Sequence, residues 1–282
     1  MTGAAERIEQ LTGRMPRRLA PLSGGCIAEV RRVEFAQRPA LVAKIGLPGD
    51  RLDLEGRMLR TLAGAGLPVP GVVAAEDDLL LIEWIDNDGR RSPEGDEQAA
   101  EALAALHARP AERFGHAEDT LIGPLPLPNA PDDDWRRFFR DRRLLHFAQA
   151  SLDAGAIDAA LMRRIERLAE NIDRHIPPGI APSLVHGDVW SGNVLWRSGR
   201  LAGFIDPAVT CAHREIEFTF ATVWSSFGER FFRRYHEILP LADGFHEERR
   251  HLYNLYPLLV HARLFGGGYA GAVSETLRRL GY

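Results

Sequence analysis

The most informative segment of the chain is Leu184-Val185-His186-Gly187-Asp188-Val189-Trp190-Ser191-Gly192-Asn193. One apolar, β-prone run leads into it and a second follows it, which predicts a loop between two short strands. The loop carries His186, Asp188 and Asn193, with the asparagine five residues beyond the aspartate. A turn rich in aspartate and asparagine would explain this stretch without any chemistry. Alternatively, the Asp188 carboxylate accepts the proton of an attacking hydroxyl group, and the Asn193 amide binds a metal ion.

The same spacing, His-x-Asp followed by asparagine five residues on, is that of the catalytic loop of protein kinases. There the aspartate accepts the proton of the attacking hydroxyl, and the asparagine binds a Mg²⁺ ion that bridges the phosphates of ATP. We therefore predict Asp188 as the base and Asn193 as a magnesium ligand. Asp206 follows an apolar run, where a kinase places another magnesium ligand; a simple turn before Pro207 is the alternative. Because proline fixes φ, no mobile activation segment is expected there.

The chain contains 35 lysine and arginine residues, and Lys44 is the single lysine among them. Arginine replaces an exposed lysine at little cost, but it does not replace a compact ammonium in a tight phosphate site. Lys44 ends the apolar run 40–43, and we predict that it contacts the α- and β-phosphates of ATP. Glu55, in the following helical segment, is its expected carboxylate partner, and Asp53 is the alternative. The alternative is that Lys44 has no function and is a lysine that remains by chance in an arginine-rich sequence.

The order of predicted elements divides the chain into two lobes. Residues 1–85 contain three β-rich stretches, a helix and two more strands, which gives a small ATP-binding lobe. Residues 86–282 are mainly helical, with a β-rich island at 183–205 that carries the catalytic loop. This is an α+β layout of the protein-kinase-like type, with a small antiparallel-sheet lobe and a larger helical lobe. The predicted strands are 18–22, 27–35, 40–45, 71–75 and 79–84. The predicted helices are 5–12, 52–64, 97–108, 133–150 and 157–175, and helical patterns resume from residue 215 to about residue 280.

Two further segments of the first lobe are candidates for binding ATP. A glycine turn at residues 23–26 lies between the first two strands, and the backbone N–H groups of Gly24 and Gly25 are predicted to face the phosphates. The turn lacks a full G-x-G-x-x-G pattern, so a plain hairpin turn is the alternative. The strand that ends at Glu83 and Trp84 is the predicted hinge between the lobes, where backbone groups would hydrogen-bond to adenine.

Composition sets the outer limits on function. The chain has 282 residues, 45% of them hydrophobic, which is enough for a sizeable core. The net charge of −4 gives no basic field for nucleic acid, and no apolar run is long enough to span a bilayer. The first residues lack a signal-peptide pattern, so we expect a cytoplasmic protein. Cys26 and Cys211 are too few for a disulfide framework, and the oligomeric state is left open, with a monomer as one option.

Five stretches of the chain resemble the fructosamine kinase, or ketosamine 3-kinase, family. This family belongs to the aminoglycoside phosphotransferase and choline kinase-like group, which has the protein-kinase-like fold. The Trp-Ser-Gly-Asn end of the catalytic loop separates the family from those relatives. The five stretches are Ser23–Ile27, Leu121–Gly123, His186–Asn193, Ile205–Val209 and Leu264–Tyr269.

The resemblance implies an ATP- and Mg²⁺-dependent kinase for the sugar O3 of ketosamines, the Amadori adducts of sugars on amines. The partner would be a small-molecule or protein-bound ketosamine, which releases its amine once phosphorylated. Trp190 is expected to stack on the sugar, with Trp135 and Asn129 as further walls of the acceptor site. Both tryptophans are alternatively core residues. Arg214 and Glu215 either line this site or form a structural ion pair with each other.

Four functions compete at this point: a ketosamine kinase, a related kinase for an aminoglycoside or choline-like amino alcohol, a nucleotide-binding regulator without catalysis, and a structural protein. The complete set of Lys44, Asp188, Asn193 and Asp206 argues against the last two functions. The ketosamine-type residues at 190–191 and 265–269 favour the first function over the second.

Overall fold

The computed structural model describes residues 3–22 and 28–282. Its N-terminal part is an antiparallel sheet with two flanking helices. These elements are α1 (Ala4–Thr12), β1 (Arg18–Pro21), β2 (Glu29–Glu34), β3 (Leu41–Ile45), α2 (Leu52–Gly64), β4 (Val72–Glu76) and β5 (Leu79–Glu83). The strands lie in the order β1-β2-β3-β5-β4, so β3, which carries Lys44, is the central strand.

Strand β5 shows why the two helices lie on opposite faces of this sheet. Leu79 and Leu81 point to one face and pack against α1, whereas Leu80 and Ile82 point to the other face and pack against α2. This alternation is the two-residue period of a strand, and all four side chains are buried. The same alternation in β3 turns Lys44 to the α2 face, where its predicted carboxylate partner lies.

The rest of the chain is mainly helical, with three short strand pairs. Its helices are α3 (Pro93–His107), α4 (Trp135–Phe139), α5 (Leu145–Asp153), α6 (Ala159–Glu170), α7 (Phe218–Val223), α8 (Glu229–Ile238), α9 (Arg250–Phe265) and α10 (Tyr269–Arg279). Its strands are β6 (Thr120–Ile122), β7 (Leu125–Leu127), β8 (Ser183–Val185), β9 (Val194–Arg197), β10 (Arg200–Phe204) and β11 (Thr210–Ala212). They pair as β6 with β7, β8 with β11, and β9 with β10. Within the described residues, no helix combines the length and apolar character needed to cross a membrane.

The observed layout matches the predicted α+β order, with differences at several element ends. Helix α3 begins at Pro93 rather than at residue 97, because Ser92 caps it by accepting a hydrogen bond from the Gly95 N–H. The predicted helix 133–150 is two α-helices joined by a π-helical turn, Arg140–Leu144. The sequence does not predict β6, β7 and β11, because three residues are too few to show a strand period.

One apolar cluster joins the two parts of the molecule. Leu54 and Met58 of α2 pack with Phe204 and Val209, which belong to the segment around the catalytic loop. The Val209 N–H lies 3.3 Å from Met58 Sδ. The division into lobes at residues 1–85 and 86–282 stays a prediction, since helix α2 contributes to the cores of both parts.

Candidate active site

A rigid backbone frame holds the loop that carries Asp188. Glu217 is buried at the end of a 3₁₀ turn, and it accepts hydrogen bonds from the N–H groups of His186 (2.6 Å) and Gly187 (2.8 Å). Gly187 has φ +89°, and a Cβ atom there would lie 2.0 Å from the Ala208 carbonyl oxygen, so only glycine fits. The loop is therefore fixed on two sides just before it reaches Asp188.

The two carboxylate oxygens of Asp188 differ in their hydrogen bonds to the described residues. Asn193 Nδ2 donates to Asp188 Oδ2 and to the Asp188 backbone carbonyl, both at 2.9 Å. The other oxygen, Oδ1, is buried and has no hydrogen-bond partner among residues 3–22 and 28–282. Burial and the neighbouring Asp206 carboxylate raise the pKa of Asp188 to about 8. A carboxylate with such a pKa is suited to take up a proton near neutral pH.

Lys44 connects strand β3 to helix α2 and to the loop after β10. Its Nζ donates to Glu55 Oε1 at 2.7 Å and to Asp206 Oδ1 at 2.5 Å. Burial opposes the charge, but the two carboxylates hold the pKa of Lys44 above its ordinary value, so the ammonium stays protonated. Asp206 has φ +56°, a left-handed conformation that aspartate tolerates and that clusters at functional sites. The alternative partner Asp53 pairs instead with Arg57.

These polar groups open onto one cleft of about 610 Å³ between the sheet and the helical part. Lys44, Asp188, Asn193 and Asp206 all line it. The cleft thus brings together side chains that are up to 162 residues apart along the chain. The glycine turn with Gly24 and Gly25, which is predicted to face the phosphates, lies outside the described residues.

One wall of the cleft is the end of β5 together with the residues that follow it. Glu83, Trp84 and Ile85 all line the cleft. The Trp84 N–H already donates to the Ala40 carbonyl at 3.2 Å, so it is not free for a ligand. The Glu83 N–H donates in the opposite direction, to the Gly71 carbonyl at 2.8 Å, and backbone direction alternates along a strand. Both backbone N–H groups of the predicted pair are therefore used within the sheet, and a contact of adenine with the backbone of Glu83 and Trp84 stays a prediction.

Asn193 and Asp206 present the kind of oxygen that Mg²⁺ prefers. Asn193 Nδ2 is turned to Asp188, which leaves Oδ1 as the free atom of the amide. Asp206 uses Oδ1 for Lys44 and retains Oδ2. In the described part of the chain, no cluster of three or more His, Cys, Asp or Glu side chains could hold a metal ion by itself. The donor set fits a Mg²⁺ ion that is shared with phosphate oxygens.

Of the five residues predicted to contact the acceptor, only Trp190 reaches the cleft, and its side chain is 37% exposed. Trp135 is 2% exposed and donates from Nε1 to Tyr253 Oη at 2.9 Å. Asn129 is 0% exposed and donates to Thr120 Oγ1 at 2.7 Å. The prediction that Trp135 and Asn129 wall the acceptor site is therefore wrong, because both side chains complete the helical core.

Arg214 and Glu215 also lie away from the cleft. Glu215 is 1% exposed and forms an ion pair with Arg249 at 2.7 Å. Arg214 donates to the Pro240 carbonyl oxygen. The predicted contact of Glu215 with substrate is wrong, since its carboxylate is enclosed in the core. The alternative, an ion pair between Arg214 and Glu215, does not form either, because each residue has a more distant partner.

Sequence reasoning missed the residues that support the catalytic loop from behind. His107, at the end of α3, lies 3.2 Å from Glu217 Oε2 and 2.8 Å from the Tyr235 hydroxyl. Helical spacing identifies His107 only as an ordinary helix residue. The signal in the sequence is Glu217, a single acid in the otherwise uncharged run 216–221. A buried acid in such a run must have hydrogen-bond partners.

The sequence profile of the family described as fructosamine kinase matches residues 3–281. The chain belongs to the fructosamine kinase family. A probable ketoamine kinase of Enterococcus faecium is 33% identical over 268 residues, which cover 92% of this chain and 94% of the relative. A chloroplastic protein-ribulosamine 3-kinase of Arabidopsis thaliana is 28% identical over 271 residues, which cover 92% of this chain and 81% of that protein.

Solved structures place this fructosamine kinase family member in the protein-kinase-like fold. A crystal structure assigned as a fructosamine-3-kinase from Thermobifida fusca aligns with a TM-score of 0.90 at 33% identity and covers 98% of both chains. An aminoglycoside phosphotransferase in complex with AMP-PNP and hygromycin B aligns with a TM-score of 0.72 over 99% of both chains. Its identity is 17%, so that likeness is one of fold alone. The predicted family, fold class and kinase activity are confirmed.

Proposed function

We propose that this enzyme transfers the γ-phosphoryl group of ATP to the O3 hydroxyl of a ketosamine, with Mg²⁺ as cofactor. The observation that carries the proposal is the convergence of Lys44, Asp188, Asn193 and Asp206 on a single cleft. Lys44 supplies positive charge for the phosphates, and Glu55 holds its ammonium in place. Mg²⁺ bound by Asn193 and Asp206 would neutralise charge on the phosphate oxygens.

Asp188 acts as the general base in this proposal. Its free Oδ1 accepts the proton of the acceptor hydroxyl as the hydroxyl oxygen bonds to the γ-phosphorus. The bond from that phosphorus to the β-γ bridging oxygen breaks, and ADP leaves with the electron pair. Asn193 keeps the carboxylate in register through its bond to Oδ2. Deprotonation of Asp188 afterwards returns the enzyme to its starting state.

The acceptor side is an aromatic wall that begins next to the base. It consists of Trp190, Trp224, His261 and Phe265. The ring centroids of Trp190 and Trp224 are 6.5 Å apart, those of Trp224 and His261 are 4.3 Å apart, and those of His261 and Phe265 are 5.2 Å apart. Phe265 is 57% exposed, so the far end of the wall is open. An indole face suits the apolar side of a sugar, and aromatic rings attract the protonated amine of a ketosamine.

The relatives support the same acceptor class. One of them is a protein-ribulosamine 3-kinase, a name that supports both a ketosamine acceptor and the O3 position. For the second candidate, an aminoglycoside or choline-like amino alcohol, the support is a fold likeness at 17% identity. The aromatic wall fits both kinds of amine, so turnover has to decide between them.

The test is ATP consumption by the purified protein with Mg²⁺ and a panel of acceptors. The panel contains fructose-lysine, ribulose-lysine, erythrulose-lysine, an aminoglycoside and choline, with the Asp188→Asn variant as the inactive control. We expect turnover of at least one ketosamine and a phosphorus-coupled NMR signal at its C3. Turnover of the aminoglycoside or choline alone, or a phosphate at another carbon, would overturn the proposal.

A further inference from the structure

Four charged side chains form an ion cluster that connects helix α2 to the segment just before β6. Arg57 Nε and Nη2 donate to the two oxygens of Glu118 at 2.8 Å and 3.0 Å, and Arg57 also pairs with Asp53 at 2.5 Å. Arg51 lies 3.6 Å from Asp53 and 3.6 Å from Glu118. We name Arg51, Asp53, Arg57 and Glu118 the ionic latch. The Arg57–Glu118 and Arg51–Glu118 contacts both span the two parts of the molecule, and the first of them is bidentate.

Arg57, the central residue of the ionic latch, lies two residues from Glu55 on α2. Two residues of an α-helix differ by about 200° in direction, so Glu55 and Arg57 point to opposite sides of α2. Glu55 points to Lys44, which it contacts at 2.7 Å. Arg57 points to Glu118 in the helical part. One helical turn therefore connects the candidate phosphate ligand to the other side of the cleft.

The first turn of α2 is also held by apolar packing, since Leu52 packs against the sheet and Leu54 packs against the helical part. The Leu52 N–H donates to the Asp77 carbonyl at 2.9 Å, but the cap residue, Arg51, has φ +58° and makes no side-chain hydrogen bond to the first turn. Such a bond is the usual way to secure a helix start. Further along, Met58 and Leu62 are held by apolar packing against the helical part. To the first turn, which carries Glu55, the ionic latch adds a charged contact that reaches across to the helical part.

We propose that the ionic latch positions the Lys44–Glu55 pair, by holding the first turn of α2 against the helical part in the orientation that binds ATP. Arg57 and Glu118 are positioning residues, because neither is placed against the phosphates. Arg57 lowers the pKa of Glu118 through its hydrogen bonds, so the pair is ionised at neutral pH. The proposal depends on the proposed function only for ATP as the ligand of the cleft.

The expected effect is modest, because the latch side chains are partly exposed and isolated surface ion pairs contribute little. A bidentate arginine–carboxylate pair in a network is the arrangement that contributes most. We expect Arg57→Gln and Glu118→Gln each to weaken binding of a non-hydrolysable Mg–ATP analogue about two- to fivefold. The kcat at saturating ATP should change less than this affinity.

Calorimetry of the analogue should compare both variants, the double variant and Arg234→Gln as a matched control. Arg234 forms a similarly exposed 2.7 Å pair with Glu101, entirely within the helical part. Arg234→Gln should leave affinity unchanged, and the double variant should be no worse than either single latch variant. At high salt the difference in affinity between the wild type and Arg57→Gln should disappear, because screening removes the latch interaction from the wild type.

A second readout is amide hydrogen exchange over residues 52–58, which should be faster in both latch variants than in the control. Unchanged affinity and exchange relative to Arg234→Gln, or losses that add in the double variant, would overturn the proposal. If Arg57→Gln does not fold, the isosteric Glu118→Gln alone carries the test. Analogue binding needs no acceptor, so failure of the ketosamine panel leaves this test intact, whereas a wild type that does not bind the analogue refutes the proposed function itself.

Discussion

The phosphate side and the acceptor side of the cleft differ in how well their residues can be identified from sequence. On the phosphate side, Lys44, Asp188, Asn193 and Asp206 all line one cleft, and Glu55 contacts Lys44 as expected. On the acceptor side, four of five candidates lie elsewhere, and only Trp190 is in place. The difference follows from the chemistry, because phosphate and Mg²⁺ require particular residue types at particular positions. A sugar needs only a surface of suitable shape.

The largest expected effect on the phosphate side is that of Asp188→Asn. Removal of the base should lower kcat about 10²- to 10⁴-fold, because general-base assistance contributes that much to such reactions. Binding of the Mg–ATP analogue should persist, since Lys44, Asn193 and Asp206 remain. The measurement is steady-state ATP turnover with the preferred ketosamine, together with calorimetry. Near-full turnover by this variant would show that Asp188 is not the base.

Lys44→Arg tests whether the single lysine is required. Lys44 Nζ is enclosed between Glu55 and Asp206, and a planar guanidinium cannot occupy the same point. We expect kcat/KM for ATP to fall about 10- to 100-fold, the effect of losing a hydrogen bond to a charged group. Arg60→Lys, a change in the opposite sense at an exposed position of α2, is the control and should be silent. An active Lys44→Arg enzyme would mean that the lone lysine is an accident of composition.

Glu217→Gln tests the support behind the catalytic loop. The amide would still accept one hydrogen bond, but its NH₂ group would face a backbone donor of His186 or Gly187. We expect stability to fall by about 1–3 kcal/mol and kcat to fall about tenfold as the loop loses its fixed position. Urea unfolding and ATP turnover measure the two effects. Glu237→Gln at the surface is the control, and equal behaviour of the two variants would refute this role.

More of the fold than of the site could be predicted, because helices and strands follow periodic patterns that are local in sequence. Leu79, Leu80, Leu81 and Ile82 already show a buried strand, and the ends of α2 are predicted to within a residue or two. The catalytic loop can also be predicted, because its functional residues are close in sequence and the chemistry constrains their spacing. The partners of Glu215 and Trp135 cannot be predicted in this way. Arg249 lies 34 residues from Glu215 and Tyr253 lies 118 residues from Trp135, and no local pattern connects either pair.

Asp188 should also reduce the stability of the free enzyme at high pH. Its folded-state pKa of about 8 exceeds the ~3.9 of an unfolded aspartate, so the native state binds more protons between these values. Stability due to this group is therefore complete at low pH and is lost as the pH rises toward 8. We expect Asp188→Asn to stabilise the protein at pH 8 by about 1–3 kcal/mol, and less at pH 5. Thermal unfolding at both pH values measures this, and a gain that does not depend on pH would contradict it.

The smallest expected effect concerns the two tryptophans that sequence could not tell apart. Trp135→Phe should leave the acceptor KM unchanged, because its ring lies in the core and its only polar atom donates to Tyr253. The lost hydrogen bond and volume should lower stability by about 1–2 kcal/mol. Trp190→Phe should do the opposite, raising the acceptor KM a few-fold with little change in stability, because its indole is exposed in the cleft. The acceptor KM of both variants, measured with one ketosamine at saturating ATP, distinguishes a core residue from an acceptor contact. A raised acceptor KM in Trp135→Phe, together with an unchanged KM in Trp190→Phe, would contradict the placement of the acceptor beside Trp190.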